Sequence, residues 1–468
     1  MRRTQIADRI DGGAEERPAA AHSHGWRGYA RRVSSALLRQ RRRLIAVAVL
    51  VIAGSVGLPA GASEANGFEA QKYGAHGDKG LHWVGTWAAA QMAPGSTPAE
   101  PPGYPEAFEN QTVRQIIHIS AGGVKMRLRF SNLFGSQPLL IGEAHVARYA
   151  GGASIMAHSD RTLTFGRKKA VTVPVGASVL SDPIDFLVPS LSDLAVSVYV
   201  PRNTGQPSFH DLGMQTTYIS GPGNFTGAQT LPAIQTSTSR YWLTGVEVAT
   251  LPTVGAVVTF GGAITDGNGS TVDTNHRWPD LLSARLNARF GLPWLSVINT
   301  GLACNRLIYD LCGPSGLSRF DRDALEQKGV KHVIVDLGLI DIVLPTFMGI
   351  PQQDASAEEI IGALQQLIER ARDAHVKIYS TTLTPVGNAV VPGFFTPENE
   401  AKRLAVNEWI RSSGAFDGVI DFDSILRDPN HPEDLALIYD NGSGIEVNDA
   451  GHEAIADAIN LSMFWRRR

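Results

Sequence analysis

Val257-Val258-Thr259-Phe260-Gly261-Gly262-Ala263-Ile264-Thr265-Asp266-Gly267 decides the fold of this 468-residue chain. A run of β-favouring residues meets two glycines, and a stretch compatible with helix follows, which reads as strand, tight turn and helix. The same alternation continues downstream. Short apolar runs at 256–260, 295–298, 333–337, 376–380 and 418–422 predict five strands. Between them, residues 357–374 place Ile360, Ile361, Leu364, Leu367, Ile368 and Ala371 at helical spacing. Thr396-Pro397 opens a further helix, a capping residue before a proline at the first helical position, carried on by Leu404, Val406, Trp409 and Ile410. Serial β-α units imply a parallel sheet covered on both faces, a three-layer α/β/α domain expected over residues 251–462. Ligands of such sheets sit beyond the carboxyl ends of the strands, which puts the 261–267 turn at the site.

Upstream, from Trp83 to about Thr250, the pattern is all-β. Val124-Lys125-Met126-Arg127-Leu128-Arg129-Phe130 alternates apolar and basic residues, as a half-buried strand does. Residues 195–200 and 244–248 read similarly, with turn-rich segments between, so residues 81–250 are expected to form an antiparallel β-sandwich. No repeat of fixed period is present, and the C-terminal Phe464-Trp465-Arg466-Arg467-Arg468 reads as a solvated tail.

Residues 1–62 carry 11 arginines against 4 acids. The remaining 31 basic residues face 41 acidic ones, a net charge of −10 that argues against nucleic acid as a partner. Arg41-Arg42-Arg43 precede an apolar stretch at 44–58 and then Ala60-Gly61-Ala62, an export signal with a small-x-small site. The expectation is a secreted or extracytoplasmic protein starting near Ser63. The alternative is a membrane anchor through residues 44–58. Residues 63–80 lack periodicity and read as a linker. Cys304 and Cys312 lie eight positions apart, and the sequence leaves open a disulfide or two buried thiols. Two cysteines without a nearby histidine make no zinc site, and no cofactor is implied.

From residue 256 to 459 the chain resembles the SGNH/GDSL hydrolases, in the subgroup with an N-terminal β domain that begins here with Trp83-Val84-Gly85-Thr86-Trp87. The resemblance rests on several blocks in order: Gly261–Gly267; Asn275-His276-Arg277-Trp278-Pro279-Asp280; Asn299-Thr300-Gly301-Leu302-Ala303-Cys304-Asn305; Gly338-Leu339-Ile340-Asp341; and Asp440 to Gly451, with its Asn448-Asp449-Ala450-Gly451 ending. It implies a serine esterase, yet the chemical positions are replaced. Where the family has its nucleophilic serine this chain has Ala263, and where an aspartate precedes it, Gly262. Cys304 stands for the glycine and Ile340 for the asparagine of the oxyanion hole. Ser443 and Glu446 stand for the aspartate and histidine of the triad. A methyl group cannot attack a carbonyl, and an isoleucine side chain has no hydrogen-bond donor.

Other groups offer weaker substitutes. Cys304 has no histidine or lysine adjacent in sequence to lower its pKa. His452, six positions past Glu446, reads as a surface histidine. Asp266, Asp341 and Glu446 could gather around a cation, although hydrogen-bonded loop carboxylates are the simpler expectation. The sequence therefore points to a non-catalytic relative of a secreted esterase that binds an ester, an acylated sugar or another extracellular ligand. Two alternatives stand beside it: an active ester hydrolase with displaced groups, and a carbohydrate-binding protein acting through the β region. The sequence does not give the oligomeric state.

Overall fold

The computed structural model describes residues 80–96, 107–290 and 295–465. The basic run, the 44–58 stretch, the Ala60-Gly61-Ala62 site, all but the last residue of the 63–80 linker and Arg466–Arg468 lie outside the described residues. Among the described residues no helix is long and apolar enough to cross a membrane.

Two antiparallel sheets make up most of the β-rich region. One orders His82–Ala88, Leu243–Thr250, Gly123–Ser131 and Ile184–Val188, with Ser178–Leu180 also pairing Gly123–Ser131. The other runs Ala233–Ser237, Thr217–Pro222, Gln111–His118, Asp193–Val200, Glu143–Gly151 and Ser154–Ile155, with Arg161–Thr162 beside Glu143–Gly151. The alternating strand behaves as its pattern demands: Met126, Leu128 and Phe130 are fully buried, while the basic residues between them are less so. Arg127 and Arg129 answer Glu247 on the neighbouring strand, directly opposite Arg127, through ion pairs of 2.5 and 3.2 Å. Opposite charges paired across strands favour this register over its slipped alternatives.

The α/β region has a five-stranded parallel sheet ordered Leu295–Asn299, Gly255–Gly261, Val330–Asp336, Lys377–Thr381, Gly418–Ile420. Gly255–Gly261 is buried at every position, which is why it reads as an unbroken apolar run. Helix Ala357–Asp373 begins in a reciprocal cap between Ser356 and Glu359 and buries Ile360, Leu364, Leu367 and Ile368. Helix Pro397–Ser412 is capped by Thr396, but its inner face differs from expectation. Leu404 is 48% exposed, whereas Arg403 and Asn407 are buried beside Val406 and Ile410. Arg403 reaches inward to Asp423, Glu400 and the carbonyl of Leu383, and these bonds let a charged residue occupy a core position. The chain end also differs from a solvated tail: Phe464 is buried edge-on against His332 and Tyr379.

Both regions fall within one compact unit. Gly85 donates its amide to the Lys328 carbonyl at 2.8 Å, and Ser296 Oγ donates to the Gly85 carbonyl at 2.5 Å. A side chain at Gly85 would come within 2.7 Å of the Ile298 tip, so glycine permits this close approach.

Candidate functional site

The turn after Gly255–Gly261 is held from below by the adjacent strand. Gly262 donates its amide to the Asp336 carbonyl at 3.0 Å, and Thr265 Oγ1 donates to Asp336 Oδ2 at 2.7 Å. A Cβ at Gly261 would lie 2.4 Å from Thr265 Oγ1 and 2.9 Å from Asp336 Cβ, so this position requires glycine. At Gly262 the nearest atoms would be 3.8 Å away, leaving room for a side chain. Gly262 caps the four-residue helix Ala263–Asp266 without a side-chain hydrogen bond, and Gly267 ends it at φ 113°.

Ala263 opens onto a small pocket that Ile340, Glu446, Asp336, Asn305 and Thr384 also line. Its remaining walls are mainly apolar, from Leu337, Leu383 and Ile445. Three of the positions singled out in sequence thus converge on one cavity at the carboxyl edge of the sheet. Among the described residues its lining contains no serine, cysteine, histidine, lysine or arginine, and a single hydroxyl, that of Thr384.

Glu446 is the unusual group. Although the residue is half-buried, its Oε2 is shut off from solvent and has no hydrogen-bond partner. Burial pushes its carboxyl up to about 8, reinforced by the charges of Asp336 and Asp266, while a hydrogen bond from Asn268 works the other way. At neutral pH Glu446 is therefore mainly a neutral acid. Burial likewise raises Asp336, opposed by the hydroxyls of Thr265 and Thr381. Sequence reasoning passed over Asp336, though an acid at the carboxyl end of a buried parallel strand was a usable signal. Thr384 carried no comparable local signal.

Ser443 stands outside this lining. Its Oγ accepts the amides of Ile445 and Glu446 at 3.2 and 3.0 Å, so it shapes the loop that carries Glu446. Cys304 is also outside, its neighbour Asn305 taking the place on the wall. Cys304 has φ 63°, the left-handed conformation that glycine adopts freely, which fits a position where the resembled family has glycine. It is disulfide-bonded to Cys312 with a Cα–Cα distance of 5.5 Å, which settles the open pairing and leaves no thiol nucleophile there.

One expectation is overturned. His452 is fully buried, not on the surface: Nδ1 accepts the Trp278 amide at 3.3 Å and Nε2 lies 3.4 Å from the Asn268 carbonyl. Burial lowers its imidazole to about 4, so it is neutral. Asp266 and Asp341 are hydrogen-bonded within the fold, the simpler of the two readings weighed for the three carboxylates. Asp341 accepts the amides of Leu307 and Ile308 at 2.6 and 2.9 Å, and burial pushes it up to about 6. Asp266 accepts the Ala303 amide at 2.8 Å and pairs with His210 at 3.0 Å. Among the described residues no group of three or more potential ligands is arranged for a metal ion.

The His210 pair ties the site turn to the β-rich region. Both side chains are almost fully buried, and His210 Nδ1 lies 2.9 Å from the Ala90 carbonyl. Burial disfavours the charged imidazole, but Asp266 outweighs it and holds His210 above its usual range. Nothing near His210 in the sequence announces this contact across 56 positions.

Residues 259–454 match the model of the GDSL-like Lipase/Acylhydrolase family. No curated protein sequence matches the chain. Among solved structures, a carbohydrate acetylesterase from Sinorhizobium meliloti is similar at 15% identity, over 44% of this chain and 95% of that one, with a TM-score of 0.35. A GDSL-like lipase from Bacteroides thetaiotaomicron is similar at 14% identity, over 44% of this chain and 87% of that one, with a TM-score of 0.33. A member of the lipolytic protein G-D-S-L family from Veillonella parvula shows 16% identity over 43% and 94%, with a TM-score of 0.32.

Proposed function

We propose, starting from a chain that belongs through residues 259–454 to the SGNH/GDSL hydrolase family, that its pocket binds an ester-like ligand without hydrolysing it. The observation that carries this reading is the lining of the pocket, where Ala263, Ile340 and Glu446 meet with no serine and no histidine among them. Acyl transfer needs a nucleophile, a base to deprotonate it and donors for the oxyanion. Ala263 offers none of the first, Ile340 none of the last, and Glu446 holds its own proton at neutral pH. Removing a hydrolase triad leaves roughly 10³–10⁴-fold acceleration from the oxyanion hole and binding, and here the hole is changed as well.

The test is hydrolysis of a short p-nitrophenyl ester by the full chain. The unmodified protein and Ala263→Ser alone are expected at background, since an isolated hydroxyl stays protonated without a base. Gly262→Asp, Ala263→Ser, Cys304→Gly, Ile340→Asn, Ser443→Asp and Glu446→His together should give measurable turnover, with a strongly non-additive gain. A Cβ at Gly262 would meet only ordinary contacts at 3.8 Å, and Cys304 already holds a backbone conformation that glycine adopts freely. A second reading, water activated directly by Glu446, is favoured by its titration near neutrality. Turnover by the unmodified chain that rises as pH passes 8 would replace the binding reading with that one.

A further inference from the structure

We propose that the polar cleft between the β-rich and α/β regions is a second ligand site, and that it takes a neutral oligosaccharide. The proposal goes beyond the reading of the Ala263 pocket and does not depend on it.

The cleft lies where two irregular stretches of backbone meet. Its floor belongs to the sheet of His82–Ala88, Leu243–Thr250 and Gly123–Ser131, where Trp87, Gly245, Glu247 and Arg129 line it. Its other wall is the segment 322–328 of the α/β region. There the helix Gly316–Phe320 runs directly into a five-residue π-helix, Asp321–Leu325, closed by the Glu326 amide on the Asp321 carbonyl at 2.8 Å. Such turns are rare and recur at functional sites. The floor is irregular at the same place. Its register shifts between Gly85 and Trp87 on one strand and between Leu243 and Gly245 on the next. Bulges of this kind re-aim side chains and are over-represented beside active sites.

The groups on the cleft are within reach of an incoming molecule. Arg129 and Arg322 are 42% and 35% exposed, while the carboxylates they hold, Glu247 and Asp323, are 9% and 8% exposed. Glu326 and Lys328 are exposed. Arg322 holds Asp323 through bonds of 2.6 and 2.8 Å, and Arg129 holds Glu247 at 3.2 Å. These pairs fix the guanidinium groups in place, and a guanidinium has more N–H groups than its carboxylate takes up.

The lining selects the ligand. Three cations, Arg129, Arg322 and Lys328, stand with three carboxylates, Glu247, Asp323 and Glu326, so the lining has no net charge to draw an anion or a cation. Small-molecule pockets at domain boundaries are mostly apolar with few polar groups. Here the larger apolar side chains are limited to Trp87, Leu133 and Val246. A purely apolar ligand would strip water from the charged groups and offer them nothing in return. A hydroxyl both donates and accepts, so neighbouring ring hydroxyls can donate to the carboxylates and accept from the cations beside them. The few apolar side chains are enough to meet the C–H face of a sugar ring. Because the π turn supplies one wall, the β-rich region alone would lack half of the site.

The test uses the full chain in saturation-transfer NMR titrations with maltotriose, cellotriose, xylotriose and triacetylchitotriose, and with trigalacturonate as the acidic counterpart. At least one neutral trisaccharide should bind with a Kd of about 1 mM or tighter, and trigalacturonate should bind at least tenfold more weakly than it. Gly245→Leu puts a side chain on the cleft floor, where a Cβ would meet only ordinary contacts at 3.7 and 4.0 Å. It should lose the binding tenfold or more, with its circular dichroism unchanged. Glu326→Ala combined with Lys328→Ala removes two exposed groups and should weaken binding threefold or more; this pair decides the matter if Gly245→Leu does not fold. Binding of none of the neutral sugars, trigalacturonate bound as tightly as the best of them, or undiminished binding by either folded variant would each overturn the proposal. Ester turnover bears on the Ala263 pocket alone, so the failure of either reading leaves the other standing.

Discussion

Replacing Glu446 by glutamine should stabilise the protein relative to wild type progressively as pH rises from 4.5 to 8. The ordinary value of this carboxyl is 4.5, and burial in the folded pocket pushes it up to about 8. Below 4.5 it is protonated in both folded and unfolded chains and contributes no pH dependence. Between the two values the folded state holds a proton that the unfolded state releases, so stability falls with pH. Each pH unit in that window costs about 1.4 kcal/mol, which reaches about 3 kcal/mol at pH 7. Above pH 8 both states are ionised and the penalty levels off near 5 kcal/mol on the same scale. Glutamine has nearly the same volume, can accept the Asn268 hydrogen bond through its carbonyl and does not titrate. The difference between wild type and variant isolates Glu446 from Asp336 and Asp341, whose buried carboxyls are also raised but are common to both proteins. Urea unfolding at pH 4.5, 6, 7 and 8 measures it. Parallel stability profiles, differing by less than about 1 kcal/mol across the range, would show that Glu446 is ionised in the folded protein and would refute the reasoning.

Two further outcomes follow from contacts around the site. His210→Ala should cost about 3–5 kcal/mol by leaving Asp266 buried without its partner; because folding raises the histidine above its ordinary 6.5, the pair's contribution should be full below that pH and fade as pH rises through the raised value. A loss under 1 kcal/mol in urea unfolding would tell against a buried ion pair. Opening the Cys304–Cys312 loop with Cys312→Ser should cost roughly 2.5 kcal/mol by loop entropy, and adding Cys304→Gly should return about 1 kcal/mol by relieving the left-handed backbone at φ 63°. A double variant less stable than Cys312→Ser alone would refute that strain.

The sequence carried the layers of this fold because its strands are of two legible kinds. Gly255–Gly261 is buried on both faces and reads as a continuous apolar run, whereas Gly123–Ser131 has one apolar face and one charged face and reads as an alternation. Local capping chemistry likewise located the start of the helix after Thr396. What failed were inferences that needed the third dimension. Leu404 and His452 were assigned by residue type, but burial is decided by partners: Arg403 goes inside because Asp423, Glu400 and the Leu383 carbonyl meet it there. His452 goes inside because the Trp278 amide and the Asn268 carbonyl flank its two nitrogens. The site shows the same division. The family resemblance singled out the positions at Ala263, Ile340 and Glu446, yet residue identity alone made Glu446 an ordinary carboxylate with an ordinary affinity for protons. Its changed character comes from Asp336 and Asp266, which lie 110 and 180 positions away in sequence, and from an apolar wall assembled by several separate segments. A replacement at a catalytic position is therefore poorly judged by the residue introduced. In this pocket burial and two neighbouring carboxylates favour the neutral form of the substituted acid, which its residue type alone does not announce.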